Sequence, residues 1–455
     1  MFSQQNGFSP PTEPVTGSFI ALYNKDGFFA IDTILVDSSG ANVIYLSRIN
    51  DGTGDNQHSL IVQNTSNARI TLQRQLGNTP SSDDILSSGA IDNNNNYYLA
   101  GSYEANGISF FPALLAKYNS NGALQWQREY YRALISSGGQ GDWNACGVEP
   151  GGGNIYVGGS VTFLDTGPPV VPTNYASLVK YNSNGNMLAR YKAVNSYTNI
   201  SSIVVDNSNN YFITGRVVVA NVSDDHGSVE KFYANGTQQW ASALRIGNAD
   251  TAFGPLAIDS ANNIITVAGT SIVKLYANGS VNWVTQGSSN SGNAYFTSVC
   301  VDSSDNIYVG GTKNANTGNG FPLRGCYAKF YSNGTPIFQN TIQYTGNANA
   351  VIAGEVQDIK HTGSNIYICG RINAFAEDPN VIPGYGGFSA KLPDDGSDTG
   401  TYGFFNIEAN TITFSTPSYV PDSSGFGLAA VSNTSNAAAT ATASNGNTKM
   451  RIIPI

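Results

Sequence analysis

The chain has 455 residues, with 22 Lys or Arg against 31 Asp or Glu, for a net charge of -9. Charged residues make up 12% of it, against roughly 25% in an average soluble protein, and Gly, Tyr, Phe, Asn and Ser take their place. That composition suits strands and tight turns, the scattered basic residues exclude a phosphate-binding patch and so a nucleic-acid partner, and no apolar run reaches the roughly 18 residues a membrane span needs.

Met1 to Gly17 reads MFSQQNGFSPPTEPVTG. It has neither the cationic start nor the apolar core of a secretory signal, so the expectation is a chain folded in a cytoplasm with a proline-rich N-terminal arm. Ser18 to Gly27 (SFIALYNKDG) then opens a pattern that recurs along nearly the whole chain.

The first half of the pattern is an apolar pair, an acidic residue, an Asn/Ser/Gly cluster, Asn, an aromatic or Ile, two apolar residues and Gly. Ile91 to Gly101 (IDNNNNYYLAG), Val205 to Gly215 (VDNSNNYFITG) and Val301 to Gly310 (VDSSDNIYVG) are clear copies. Degenerate copies begin at Val36-Asp37, Val148-Glu149, Ile258-Asp259 and Asp358-Ile359. The second half is a strand ending in Lys and an aromatic or Leu, an Asn-Gly turn, and a strand often carrying Trp. It reads LLAKYNSNGALQW (Leu114 to Trp126), SLVKYNSNGNMLA (Ser177 to Ala189), SVEKFYANGTQQW (Ser228 to Trp240), SIVKLYANGSVNW (Ser271 to Trp283) and CYAKFYSNGTPIF (Cys326 to Phe338), with a weaker copy at Ser389 to Gly396. Alternation within each strand and positive φ at the Asn-Gly turn make each half a β-hairpin.

Acidic anchors at 37, 92, 149, 206, 259, 302 and 358 are spaced by 55, 57, 57, 53, 43 and 56 residues. That is the period of a propeller blade. Two hairpins make a four-stranded sheet with apolar surface on both faces, which neighbours stacked around an axis can bury. The expected fold is therefore all-β: a β-propeller of four-stranded antiparallel blades, with seven complete units, closed by strands from both chain ends. Ser18 to Gly27 copies only a second half and Phe405 to Phe414 only a first. These remnants either complete the seventh blade or form an eighth. The organisation expected is an arm over 1–17, a propeller over 18–416 and a low-complexity arm over 417–455, extended along the propeller or along a partner. The recurrent Gly after the second strand is expected to let that strand approach the central channel.

The units D-[NS]-x-x-N-Y-x-x-G and K-Y-N-S-N-G-x-x-x-W resemble the β-propeller repeats of virion proteins of marine tailed phages, cyanophages in particular, and of some bacterial surface proteins. The chain departs from that pattern at Glu149, at Pro150 to Gly153, and at Gln63, which stands where Lys is usual. The resemblance implies a structural protein on the virion exterior, tail-associated or on the capsid surface, held to other virion proteins through the two arms. A surface rich in Asn, Ser, Thr and Tyr without an export signal fits a protein assembled in the host cytoplasm and exposed at lysis.

No nucleophile elbow, P-loop or H-E-x-x-H motif is present, and His58, His226 and His361 lie in different units, where they read as loop residues. No catalytic residue, metal ligand or cofactor is expected, and the repeated acids read as turn caps. The repeated lysines, Lys117, Lys180, Lys231, Lys274, Lys329 and Lys391, read as structural ties, and Trp126, Trp240 and Trp283 as packing between blades. Asp51 to Asn56 lacks the downstream Glu of a calcium loop. Cys146, Cys300, Cys326 and Cys369 are far apart and read as buried thiols. Trp143 lies outside the Trp register; with Tyr130, Tyr131 and Asp142 it is a candidate contact for a host glycan or a protein partner. Tyr103, Tyr175, Phe321 and Tyr385, in or beside the variable inserts, are further candidates. A polysaccharide-degrading enzyme would need paired acids in these inserts, for which Asp224-Asp225 and Glu377-Asp378 are the pairs to test.

Overall fold

The computed structural model of the protein describes residues 17–24, 29–50, 56–77, 84–103, 113–130, 141–164, 172–194, 197–218, 225–247, 251–289, 292–314, 323–345, 354–374, 384–403, 405–409, 412–422, 427–430, 442–444 and 449–454. Its regular elements are all strands. They form seven blades of four antiparallel strands, whose innermost members are Phe29–Val36, Asp84–Ile91, Gly141–Val148, Tyr197–Val205, Leu256–Ile258, Gly292–Val301 and Glu355–Thr362. Apolar clusters fill the spaces between neighbouring blades; one joins Tyr156, Ala176 and Leu178 of the third blade to Tyr211, Ile213 and Phe232 of the fourth. This is the burial that a lone two-faced sheet cannot achieve.

The seventh blade takes three strands from Glu355–Pro393 and its fourth from Phe19–Asn24, with Ala21 opposite Ser389. The N-terminal remnant thus closes the ring. The other remnant does neither thing expected of it: Phe405–Ala409 lies outside Pro336–Tyr344 of the sixth blade, and Thr413–Ser415 outside Val281–Ser289 of the fifth. Among the described residues the ring has no eighth blade; the extra segment has found an edge that was already four strands deep. From there the chain runs back around the rim. Tyr419–Asp422 adds to the fourth blade, Gly427–Ala430 to the third, Thr442–Ser444 to the first and Lys449–Pro454 to the seventh, against Phe19–Asn24. Both chain ends therefore meet in one sheet. These added strands occupy edges that would otherwise template aggregation.

The repeat's chemistry is a blade-to-blade clamp. Ser183 O, in the third blade's turn, accepts from both Lys117 Nζ (3.4 Å) and Trp126 Nε1 (3.0 Å) of the second, and Ser332 O accepts from Lys274 Nζ (3.0 Å) and Trp283 Nε1 (3.2 Å) in the same way. The turn glycine serves the clamp twice. Gly185 has φ +76°, and a Cβ there would sit 2.9 Å from the Trp126 indole. The acids cap turns as expected: Asp92 Oδ1 accepts from the amides of Asn94 and Asn96, and Oδ2 from the Asn96 side chain and the Tyr98 hydroxyl.

The glycine ending the second strand has a different role from approach to the channel. Six inner strands carry a β-bulge. A Cβ on Gly101, Gly159, Gly311 or Gly370 would land on the carbonyl oxygen of the bulged neighbour, Ile85, Asp142, Tyr295 or Glu355 respectively. Because that obstacle is backbone, Gly101→Ala is expected to cost about 3 kcal/mol of stability. Gly151→Ala, where a Cβ meets nothing within 4 Å, should be near neutral; urea unfolding of the two variants measures the contrast.

Candidate functional site

Antiparallel order sets which parts of each blade share an end of the ring. The second-to-third-strand inserts and the connections into each inner strand emerge at one end; the acid-capped and Asn-Gly turns emerge at the other. Most of the inserts lie outside the described residues, so the part of this face that the structure places is the mouth of the central channel.

The channel holds about 640 Å³. The bulges shape it: each pushes its extra residue inward, and all six of these residues, Asp32, Ser87, Asn144, Ser201, Thr297 and Gln357, are polar, half-buried and line the channel. They sit about midway along the inner strands. Asp32 lies 3.4 Å from Arg48. Burial raises the Asp32 carboxyl above its ordinary range, while Arg48 pulls the other way. The ring offers hydroxyl, amide and carboxyl groups to water or a small polar solute.

One blade departs from the rest. The residue after the bulge is Thr33, Ser88, Ala145, Ser202 and Ser298 in five blades, and Asp358 in the seventh. Asp358 is thus not the turn anchor that its place in an acidic-apolar pair predicts. The seventh blade turns through Gly363 and Ser364 between Thr362 and Asn365, and Asp358 lies inside the strand. Its Oδ2 accepts from Ile34 N of the first blade at 2.8 Å, and its Oδ1 accepts from Ser298 Oγ of the sixth and from Lys360 Nζ at 3.0 Å. One carboxylate therefore ties three blades where the ring closes. Burial works against the Lys360 charge, but Asp358 beside it outweighs this and holds the ammonium above its usual range.

The histidines are strand residues, not loop residues. His58 Nε2 accepts from Leu86 N at 2.9 Å, bridging the first and second blades. His226 is buried within Asp225–Phe232. His361 stacks on Tyr308, with ring centroids 5.0 Å apart, and its Nε2 lies 3.1 Å from Asp394. Asp302, His361 and Asp394 bring ligand atoms within 4.8 Å of one another. Lys329 Nζ stands 3.7 Å from the same Asp394 oxygen, however, and the Tyr308 hydroxyl donates to both acids. These groups already satisfy one another across the junction of the sixth and seventh blades.

The predicted contact residues fare unevenly. Trp143 is fully buried on the third inner strand, 5.0 Å from the Tyr130 ring, and Tyr130 is buried too, accepting from Arg190 at 3.0 Å. Neither has a free face for a sugar or a partner, so both are corrected to core: the indole fills the gap between the second and third blades. Asp142 is half-buried beside Trp143. Tyr175 packs against the same cluster, with Lys192 Nζ 3.6 Å from its ring centroid. Tyr103 and Tyr385 fall in strands, their side chains outside the described residues, as are Tyr131 and Phe321 altogether. Of the acid pairs, Asp225 is buried and ion-paired with Arg216; Asp224, Glu377 and Asp378 lie outside the described residues, as does most of Asp51 to Asn56. The bulge ring was missed. Its signal was present in the glycines that pair with it.

No protein-family model matches the chain, and no curated protein does. Among solved structures it is similar to a protein of unknown function from Bacteroides caccae, at 9% identity over 71% of this chain and 93% of that one, with a TM-score of 0.37. A protein of unknown function from Dyadobacter fermentans matches at 9% identity over 84% of this chain and 98% of the other, with a TM-score of 0.38. The acylaminoacyl peptidase of Pyrococcus horikoshii matches at 6% identity and a TM-score of 0.42, over 75% of this chain and 49% of the peptidase. At these values none of the likenesses carries an activity over to this chain.

Proposed function

We propose that this protein is a non-enzymatic structural and contact protein on the exterior of a tailed-phage virion, tail-associated or on the capsid surface, assembled in the host cytoplasm and exposed at lysis. The observation that supports this reading most is the rim. Strands from 405–454 cover the outer edges of six of the seven blades, which suits a molecule that must persist outside a cell. Four buried free cysteines fit as well, since nothing in the described fold calls for an oxidising compartment. Asp358, the acid that departs from the pattern of the inner strands, is used to tie the first, sixth and seventh blades together, a structural use of its charge. Propellers host many roles, so the fold alone does not choose among them.

The C-terminal segment already pairs with the molecule's own blades, and attachment to other virion proteins is assigned to the N-terminal arm. Deleting residues 1–17 should leave the melting temperature unchanged and abolish incorporation into particles. Normal incorporation of this variant would overturn the attachment role. A second reading, contact with a host surface saccharide, has an observation of its own, on the face opposite the inserts.

A further inference from the structure

The turns between the third and fourth strands differ around the ring at one position. The residue that opens the turn is Asn64, Asn119 and Asn182 in the first three blades, and Tyr233, Tyr276 and Tyr331 in the fourth, fifth and sixth. The asparagines work for the turn. Asn119 Oδ1 accepts from the amides of Asn121 (3.1 Å) and Ala123 (2.9 Å), and Asn182 Oδ1 from those of Asn184 (3.0 Å) and Asn186 (2.9 Å). A phenol ring cannot accept those bonds. The tyrosine turns keep their backbone bonds, as in Gly236 N to Tyr233 O at 2.8 Å, and Asn235 takes over one of the lost roles by accepting from Thr237 N at 2.9 Å.

Each tyrosine thus forgoes side-chain bonds that the fold uses elsewhere at the same place, and packing does not compensate: Tyr233, Tyr276 and Tyr331 are 45%, 48% and 53% exposed. A large apolar ring held half in water on three consecutive blades does little for stability. The turns themselves, Tyr233 to Thr237, Tyr276 to Ser280 and Tyr331 to Thr335, contain only Tyr, Ala, Asn, Ser, Gly and Thr. The acid-capped turns at the same end add exposed Asn207, Ser208, Ser260, Asn262, Ser303 and Ser304.

We propose that Tyr233, Tyr276 and Tyr331 form an arc of stacking platforms for an extended, uncharged polysaccharide on the turn face of the fourth to sixth blades. Packed sheets stand roughly 10 Å apart, so the platforms repeat at a spacing that a chain of linked pyranose rings can follow. Each tyrosine offers a flat ring to a sugar face, and the amides and hydroxyls between them pair with sugar hydroxyls. A protein partner would call for a contiguous apolar centre, whereas here polar turns separate the rings. The proposal does not depend on the virion reading.

The test uses the full-length protein and the triple variant Tyr233→Asn, Tyr276→Asn, Tyr331→Asn, which installs the residue that Asn119 and Asn182 show the turn accepts. Both are run by affinity electrophoresis through gels containing dextran, xylan or a purified bacterial exopolysaccharide. The native protein should be retarded by at least one of these, and the triple variant should lose about tenfold or more of that affinity with an unchanged or raised melting temperature. Equal retardation of the two proteins would overturn the proposal, as would no retardation of the native protein by any of the three. Capture of a protein partner through these tyrosines without polysaccharide binding would also overturn it.

Discussion

Replacing Glu230 by Gln should stabilise the protein at pH 9 by on the order of 5 kcal/mol and leave its stability at pH 4 nearly unchanged. Glu230 occupies the third strand of the fourth blade, at the position held by Ala116, Val179, Val273, Ala328 and Ala390 in other blades. It is fully buried, and only Oε2 has a partner among the described residues, Gln238 Nε2 at 2.7 Å. Burial raises its carboxyl from 4.5 to about 8, against a smaller lowering by Gln238. The sign follows from linkage. Between about 4.5 and 8 the folded chain holds a proton that the unfolded chain has released, so stability falls as pH rises through that window. Below it both states are protonated and the penalty vanishes. Glutamine keeps the acceptor for Gln238 and removes the ionisation. Urea unfolding at pH 4, 6, 7.5 and 9 should show the variant's advantage growing with pH; equal stability of the two proteins at pH 9 would contradict the assignment.

Asp358→Ala should cost about 4 kcal/mol. It removes the acceptor for Ile34 N, strips a partner from Ser298 Oγ, and leaves the Lys360 ammonium without its carboxylate where the ring closes. The other blades supply the rescue. Ser88, at the equivalent position, accepts from Cys146 N of the next blade at 3.1 Å, and Leu35 stands where Lys360 does. Asp358→Ser alone should therefore recover part of the loss. Asp358→Ser with Lys360→Leu should return close to native stability, because the seventh blade then repeats the chemistry of its neighbours. If the double variant is as unstable as Asp358→Ala, the carboxylate has a role beyond the tie described.

The parts of this fold that are legible in the sequence are those that recur. Six blades share the acid turn cap, six the lysine and three the tryptophan, so the period, the hairpins and the clamp all appear as repetition. What was misread is what departs from it. Asp358 has the appearance of an anchor because an acid beside Ile359 matches the motif, but the seventh blade turns instead at Gly363, where the motif has no acid. Trp143 looked available because it falls outside the Trp register; its burial comes from Tyr130 and the second blade, which no local pattern encodes. The outer strands from 405–454 are only 3 to 6 residues long. Their pairing is set by edges tens to hundreds of residues earlier in the chain, so composition alone reads them as an arm. The tyrosine arc was in plain view as FYANG, LYANG and FYSNG against YNSNG. Its meaning needed the exposure of the rings and the bonds that Asn119 and Asn182 make.

Purified, salt-washed phage particles probed with an antibody raised against the folded propeller test the proposed function most directly. A protein worn on the outside predicts antibody bound to intact particles at a fixed number of copies, unchanged when the particles are opened. A chain missing from washed particles, or reached by antibody only after they are disrupted, would contradict it.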